Sequence, residues 1–507
     1  MKIVNQFIGL ALIVFAVSSC AQKKSVANAN SKPQPNVIFI IADDLGYADI
    51  AAYGSSFYET PNIDKLAINA TRFTNGYANC PVCSPSRASF QTGKYPVNTG
   101  VTDWIKGRKV DVGATPNDRW IVPETEYDMK LSETTIAEAL KDKGYKTAFL
   151  GKWHLGETEA FYPENQGYDI NIGGWRAGGP QHAKGANGYF SPYGNPRLKD
   201  GPEGEYLPER LTNEAIALLK SNQEKPLFMC LSYYLVHTKL QAKQEDIAIY
   251  NKKREKVGIK EDQEFGPSQP WMTTASGNSK SYEERIKQGN PTYAAMIKAL
   301  DDNVGRLVDY LKEAGTYDNT MIVFISDNGG LATAEGSSTS NLPLAKGKGW
   351  MYEGGIRVPF IVKKPNSKKG IVSPTPVSGV DIFPTILAYA DKSSSVSTLD
   401  GINLQPILEG GKSKIERPIF WHYPHYSNQG GNPSSAIRFG DFKLIHDLEL
   451  DAFELYNLKK DIGETKNLVT VLPEKTAELK KLLNDWVAKN YSKNLEPNPK
   501  WNGNDLK

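Results

Sequence analysis

The stretch Asn36-Val37-Ile38-Phe39-Ile40-Ile41-Ala42-Asp43-Asp44 decides the fold. An unbroken apolar run, rich in β-branched residues, reads as a strand buried on both faces, as in a mostly parallel sheet covered by helices. It stops at two aspartates, which a core rejects, so the pair sits just past the carboxyl end of the strand. Three further runs repeat the pattern. Residues 147–150 lead into Gly151-Lys152-Trp153-His154, residues 227–234 into His237, and residues 320–326 into Asp327-Asn328-Gly329-Gly330.

Helical patterns lie between these runs. Ser132 is the expected N-cap of a helix over 133–143, with Ile136, Ala139 and Leu140 on one face and Gly144 as its stop. Pro291 opens a longer stripe of Met296, Leu300, Val304 and Leu307, ending at Gly315. Strands alternating with helices define an α/β fold, in which ligands bind beyond the carboxyl ends of the strands. Four strands that each deliver acids, lysines or histidines there point to one converging site.

Toward the C-terminus, 381–390 reads as a helix and 392–398 as a serine-rich connector. Strands follow at 418–422 and 436–447, then a helical pattern over 473–489. A smaller α+β subdomain with an antiparallel sheet is expected over 399–507, after a main domain over 36–398. Residues 241–290 are charged and weakly periodic, and a partly helical excursion near the pocket mouth is expected there.

The chain has 507 residues and a formal net charge of +3, which gives no general case for nucleic acid. Its first twenty residues differ from the rest. Lys2 precedes an apolar stretch at 7–17 that is too short to span a bilayer, and Val17-Ser18-Ser19-Cys20 closes it. This resembles a lipoprotein signal with Cys20 lipidated, followed by a polar tether over 21–35. It implies an exported protein held by a lipid anchor, in the periplasm, at the outer membrane or at the cell surface. A plain secretory signal is the alternative.

Asp43, Asp44, Asp327 and Asn328 offer oxygen ligands only, which suits calcium or magnesium rather than zinc or copper. Three carboxylates brought together repel, and a divalent cation relieves that conflict. The most telling run is Cys83-Ser84-Pro85-Ser86-Arg87, closed by Thr92-Gly93: a thiol at a turn beside an anion-binding arginine. Cys80-Pro81-Val82-Cys83 is also a C-x-x-C, open to redox or zinc readings. No second such pair exists, and only Cys20 and Cys230 remain elsewhere.

Cys83 to Gly93 matches C-x-P-S-R-x-x-x-x-T-G at every fixed position and resembles the formylglycine-dependent (type I) sulfatases of the alkaline-phosphatase-like superfamily. Further similarity lies in Gly151-Lys152-Trp153-His154, Asp327-Asn328-Gly329, Gly347-Lys348-Gly349 and the run from Tyr352 through Pro359. Asp381-Ile382-Phe383-Pro384-Thr385 and Glu454-Leu455-Tyr456-Asn457-Leu458 also fit. The resemblance implies that Cys83 is oxidised after translation to formylglycine (3-oxoalanine) by a formylglycine-generating or anaerobic sulfatase-maturing enzyme. It implies one calcium ion, bound by Asp43, Asp44, Asp327, Asn328 and the modified Cys83. Arg87, Lys152, His154, His237 and Lys348 then surround nucleophile and sulfate. Lys346 competes with Lys348, and spacing to Glu353 favours Lys348.

The implied activity is hydrolysis of sulfate esters on a polysaccharide or oligosaccharide, with algal polymers such as ulvan, carrageenan or agar ahead of glycosaminoglycans. Arg176 and His182, with Trp175, Tyr189 and Tyr193, are candidate sugar contacts from a Gly-rich loop. Trp421, His422, His425 and Arg438 are candidates for a second wall. The competing readings are a formylglycine-dependent phosphate or phosphonate ester hydrolase, and a sulfated-glycan-binding lipoprotein without activity.

Overall fold

The computed structural model describes residues 34–107, 113–222, 224–270, 281–391, 398–411 and 415–503. The leader, Cys20, the tether through residue 33 and the connector at 392–397 lie outside the described residues. Strand β1 (Asn36–Ala42) runs near the middle of an eight-stranded sheet. The other strands, in chain order, are β2 (Thr71–Phe73), β3 (Lys146–Gly151), β4 (Ile170–Ile172), β5 (Leu227–Ser232), β6 (Thr320–Ser326), β7 (Phe360–Lys363) and β8 (Ile371–Ser373). Their spatial order is β8-β2-β7-β6-β1-β5-β3-β4. The run β6-β1-β5-β3-β4 is parallel throughout, and β7 pairs antiparallel with both β6 and β2.

The four strands that carry the reactive residues are therefore neighbours: β6, β1, β5 and β3. Their ends are in register, with Ala42 opposite Ser326, Ile41 opposite Ser232, and Ser232 opposite Gly151. Everything that follows these residues emerges along one edge of the sheet.

Alternation along β1 explains why the run is apolar throughout. Ile38, Ile40 and Ala42 belong to a core with α1 (Pro61–Ile68), α4 (Leu207–Ser221) and α6 (Pro291–Glu313). Val37, Phe39 and Ile41 face the opposite core, with α2 (Cys83–Thr92), α3 (Ile136–Lys141) and α8 (Ile382–Ala390). The N-cap of α3 is Thr135 rather than Ser132. Thr135 Oγ1 accepts from Glu138 N at 3.2 Å while Glu138 Oε2 accepts from Thr135 N at 2.8 Å, a reciprocal capping box. Helix α5 (Gln244–Val257) of the charged excursion packs on α6, and none of the described residues of 241–290 lines the main cavity.

A second sheet holds β9 (Ile419–Tyr423), β10 (Ser434–Phe439), β11 (Phe442–Asp447) and β12 (Ala452–Asn457), all antiparallel. What reads in the sequence as one strand over 436–447 is thus a hairpin turning at Gly440, which has φ +62°. One face of this sheet, with Trp421 and Ile445, packs on Tyr77, Val82 and Ile356 of the main part. The other face packs on α9 (Pro473–Asn490), where Trp486 stacks on Phe420 at 4.7 Å. Short α7 (Glu353–Ile356) lies between the sheets. Its Glu353 pairs with Lys443 of β11 at 3.1 Å, and Lys443 also holds Glu464 at 2.8 Å, all three buried.

Candidate active site

Cys83 is the first residue of α2, not part of a free turn, and all ten residues of that helix are buried. The fixed positions of its motif have structural reasons. Ser86 Oγ accepts from Cys80 N at 2.9 Å and donates to Cys80 O at 3.1 Å, folding the approach segment over the helix start. Gly93 closes the helix with φ +66°, a left-handed conformation that side chains resist. Arg87 lies one turn after Cys83 and so shares its face. Its Nε donates to Asp327 Oδ2 at 2.8 Å, and its Nη1 donates to Lys152 O at 2.9 Å and Ser232 Oγ at 2.7 Å. One guanidinium thereby ties α2 to the ends of β3, β5 and β6.

The aspartate pair after β1 occupies the middle of this floor. Asp43 Oδ2 meets Lys152 Nζ at 2.7 Å, and Arg87 Nη2 lies 3.6 Å from Asp43 Oδ1. Asp44 adopts φ +59°, an uncommon conformation for a non-glycine residue. It is fixed there by Asp44 N donating to Asp327 Oδ1 at 3.1 Å and by Asn328 Nδ2 donating to Asp44 Oδ1 at 2.8 Å. Asp44 Oδ2 pairs with Lys348 Nζ at 2.8 Å and lies 3.7 Å from His237 Nε2. Lys346 points elsewhere, to Glu284 at 3.1 Å and to the Tyr282 ring.

Two histidines complete the floor. His154 Nδ1 lies 3.6 Å from Cys83 Sγ and 3.2 Å from Ser84 Oγ, and its Nε2 contacts Ile105 O. Gly178 covers the ring so closely that a Cβ there would stand 2.7 Å from it. His237 Nδ1 contacts Thr238 O.

Burial raises the Cys83 thiol pKa against the pull of Lys152 and Lys348. Burial also raises Asp43, an effect that Lys152 only partly offsets. Asp44 is held far below the usual carboxylate range, because Lys348, His237 and Lys152 outweigh its burial. For Lys348, burial is outweighed by Asp44, Cys83 and Glu335, so the ammonium stays charged. Burial lowers both histidines, with Lys152 adding to the effect at His154 and Asp44 opposing it at His237.

The acids are not alone, as the sequence suggested. Asp43, Asp44 and Asp327 are matched by Lys152, Lys348 and Arg87. Two buried oxygens nevertheless have no hydrogen-bond partner, Asp43 Oδ1 and Asn328 Oδ1, and both can only accept. Asp43, Asp44 and His237 also bring donor atoms within 4.8 Å of one another. An oxygen-rich set with orphaned acceptors fits a hard divalent cation.

Above the floor opens a cavity of about 530 Å³ lined by Cys83, His154, His237 and Lys348. Arg176 and His182 stand on its wall, as do Trp104, Lys106, Glu157, Gln181, Glu335, Asn428 and Gln429. The expected second wall is not there. Strand alternation turns Arg438 toward Asn75 and Tyr77, while His422 bonds Ser435 Oγ at 2.7 Å and packs on Tyr491. His425 bonds Thr102 Oγ1 at 2.9 Å beside a separate small cavity, and Trp421 donates to Ala78 O at 2.8 Å. Tyr189 and Tyr193 are buried in the core.

The second sheet reaches the cavity instead through the loop carrying Asn428 and Gln429. That loop docks on the Lys348 loop at Gly349, which has φ +83° and where a Cβ would stand 2.0 Å from Ser427 Oγ. The signal for this contact was faint. Asn428-Gln429-Gly430-Gly431 reads as a turn, and nothing in it announces chemistry.

The sulfatase family model matches residues 35–392, so the chain belongs to the sulfatase family. A second model, N-sulphoglucosamine sulphohydrolase C-terminal, matches residues 346–492. A sulfatase of Formosa agariphila is 29% identical over 98% of this chain and 97% of its own length. Human N-acetylgalactosamine-6-sulfatase is 31% identical over 78% of this chain and 69% of its own. Among solved structures, Ps i-CgsB in complex with k-i-k-neocarrahexaose superposes with a TM-score of 0.70 at 29% identity, covering 90% of this chain and 93% of that one. The protein is a type I sulfatase of alkaline-phosphatase-like fold and a sulfuric ester hydrolase.

Proposed function

We propose that this enzyme removes sulfate from a sulfated carbohydrate, using formylglycine made from Cys83 together with one calcium ion. The observation that carries this reading is the place of Cys83. Its sulfur lies on the cavity floor 3.6 Å from His154, above the interlocked Asp43, Asp44, Asp327 and Lys348. Asp43, Asp44, Asp327 and Asn328 would hold the calcium, and the orphaned Asp43 and Asn328 oxygens fit that role. Residue 83 as hydrated formylglycine would supply a nucleophilic oxygen, and calcium would supply positive charge for the sulfate oxygens.

The remaining work falls to the protein's own side chains. Lys348, kept protonated by Asp44, and Lys152 present positive charge where negative charge accumulates on sulfate. Arg87 fixes helix α2, and with it residue 83, against three strand ends. His154 is neutral and sits beside residue 83, placed to take a proton there. His237 reaches into the cavity from the end of β5, and either it, once it takes up a proton against its burial, or the charged Lys348 would protonate the departing sugar oxygen.

The cavity wall, with Arg176, Gln181, His182 and Asn428, is polar and charged, which suits a sugar better than an apolar sulfate ester. The likeness to a structure holding a carrageenan-type oligosaccharide favours an algal galactan, ahead of a glycosaminoglycan. Assaying defined sulfated oligosaccharides of both classes, beside a sulfate and a phosphate ester of one phenol, tests the reading. Turnover of the phosphate ester alone would overturn it.

A lipid anchor on Cys20 would place the enzyme outside the cytoplasm, where such polymers are met. No helix among the described residues is long and apolar enough to cross a membrane. Loss of membrane association in a Cys20→Ala variant tests the anchor, and unchanged association would refute it.

A further inference from the structure

We propose that Glu335 forms an acceptor subsite that reads a free hydroxyl on the bound sugar and rejects a second anionic group beside the scissile sulfate. This rests on the carbohydrate sulfatase reading above and adds a discrimination to it.

Glu335 is exposed on the cavity wall, in the loop that follows Asp327-Asn328-Gly329-Gly330. It is near enough to Lys348 to add to that ammonium's protonation. Its backbone has φ +53°, and Gly336 and Ser337 continue the left-handed run with +90° and +42°. Such a conformation is costly for residues with a side chain and persists where its surroundings impose it.

The surroundings here are specific. Glu335 Oε1 accepts from Gln429 Nε2. The Gln429 amide is itself pinned, because Ser427 Oγ donates to its Oε1 at 2.7 Å. The Gln429 backbone oxygen accepts from Thr333 Oγ1 at 2.8 Å and Trp350 Nε1 at 2.8 Å. A preorganised carboxylate therefore faces the cavity, and among the described residues it forms no ion pair.

Glu157, the other acid of the wall, differs in having Lys106 at 3.6 Å.

An ionised carboxylate such as Glu335 can only accept. Sugar hydroxyls donate; sulfate and carboxylate substituents do not, and their charge opposes that of Glu335. Of the cavity's cations, Lys348 is on the floor, and Arg176 and the Glu157-paired Lys106 are on the wall. The Glu335 side is built for neutral, hydroxyl-bearing sugar.

The test compares two oligosaccharides with the same scissile sulfate, one with a free neighbouring hydroxyl and one sulfated there as well. Wild-type enzyme should favour the first in kcat/KM. Glu335→Gln, which keeps size but removes charge, should shrink that preference by about tenfold or more, the scale of a like-charge contact in a binding site. Glu335→Ala should raise KM for the first substrate more than for the second. An unchanged preference in Glu335→Gln overturns the inference while leaving the sulfatase reading intact. Wild-type enzyme that cleaves neither sugar overturns the carbohydrate reading and this inference with it.

Discussion

The cavity floor is assembled from the ends of four adjacent strands, whereas its rim is assembled from loops far apart in the chain. On the floor, β-sheet register fixes positions to within a side chain. Asp43, Lys152, His237 and Asp327 come together because β1, β3, β5 and β6 are neighbours with aligned ends. On the rim, Arg176, Glu335 and Gln429 meet through turns and side-chain bonds such as Gln429 to Glu335. In the function proposed above, the floor serves the chemistry and the rim the choice of substrate. A rigid scaffold with variable loops separates those two demands.

This contrast makes graded predictions. Asp44→Ala strips Lys348, His237 and Asn328 of a shared partner, so it should lose calcium and lower kcat/KM by roughly 10³-fold, as when a preorganised charge stabiliser is removed. Metal analysis and steady-state kinetics check this, and retained calcium with near-normal turnover would break the account of the floor. His237→Ala should cost about 10²-fold on a sulfated sugar, the scale of general acid catalysis, and clearly less on an activated aryl sulfate. A phenolate leaves without help and a sugar alkoxide does not. Equal losses on both substrates would show that His237 holds sulfate instead.

On the rim, Arg176→Ala should act mainly on KM, raising it by about tenfold through loss of one charge-assisted contact. A fall in kcat with KM unchanged would move Arg176 from the rim to the floor. His422→Ala should leave kcat/KM within about twofold, since surface positions away from the site have small effects. Its ring is engaged with Ser435 and Tyr491 outside the cavity. A large loss of activity would mean that β9 reaches the substrate after all.

The same contrast explains what was legible in the sequence. Buried parallel strands announce themselves as apolar runs, and acids placed directly after such runs need a reason, so the floor residues could be named in advance. The Cys83 motif added α2, although its helical state was hidden by a proline and three serines. Arg438 and His422 failed as substrate contacts for a local reason. Period-two alternation on β9 puts His422 on the face beside Tyr491, whereas Arg438 of β10 is on the opposite face, engaged by Asn75 and Tyr77. Glu335, Asn428 and Gln429 were missed because their role depends on a contact between residues 94 positions apart, fixed by Gly349 allowing the loop of the second sheet to approach. The cations that balance the floor were each noticed, but their pairing with individual acids is a three-dimensional fact.

Mass spectrometry of the peptide containing Cys83, from active enzyme purified out of a host with a formylglycine-generating enzyme, tests the central claim most directly. The account predicts an aldehyde at residue 83, in a fraction that rises and falls with specific activity, and neither aldehyde nor turnover in Cys83→Ala. Full activity from protein whose Cys83 is an unmodified thiol would contradict it.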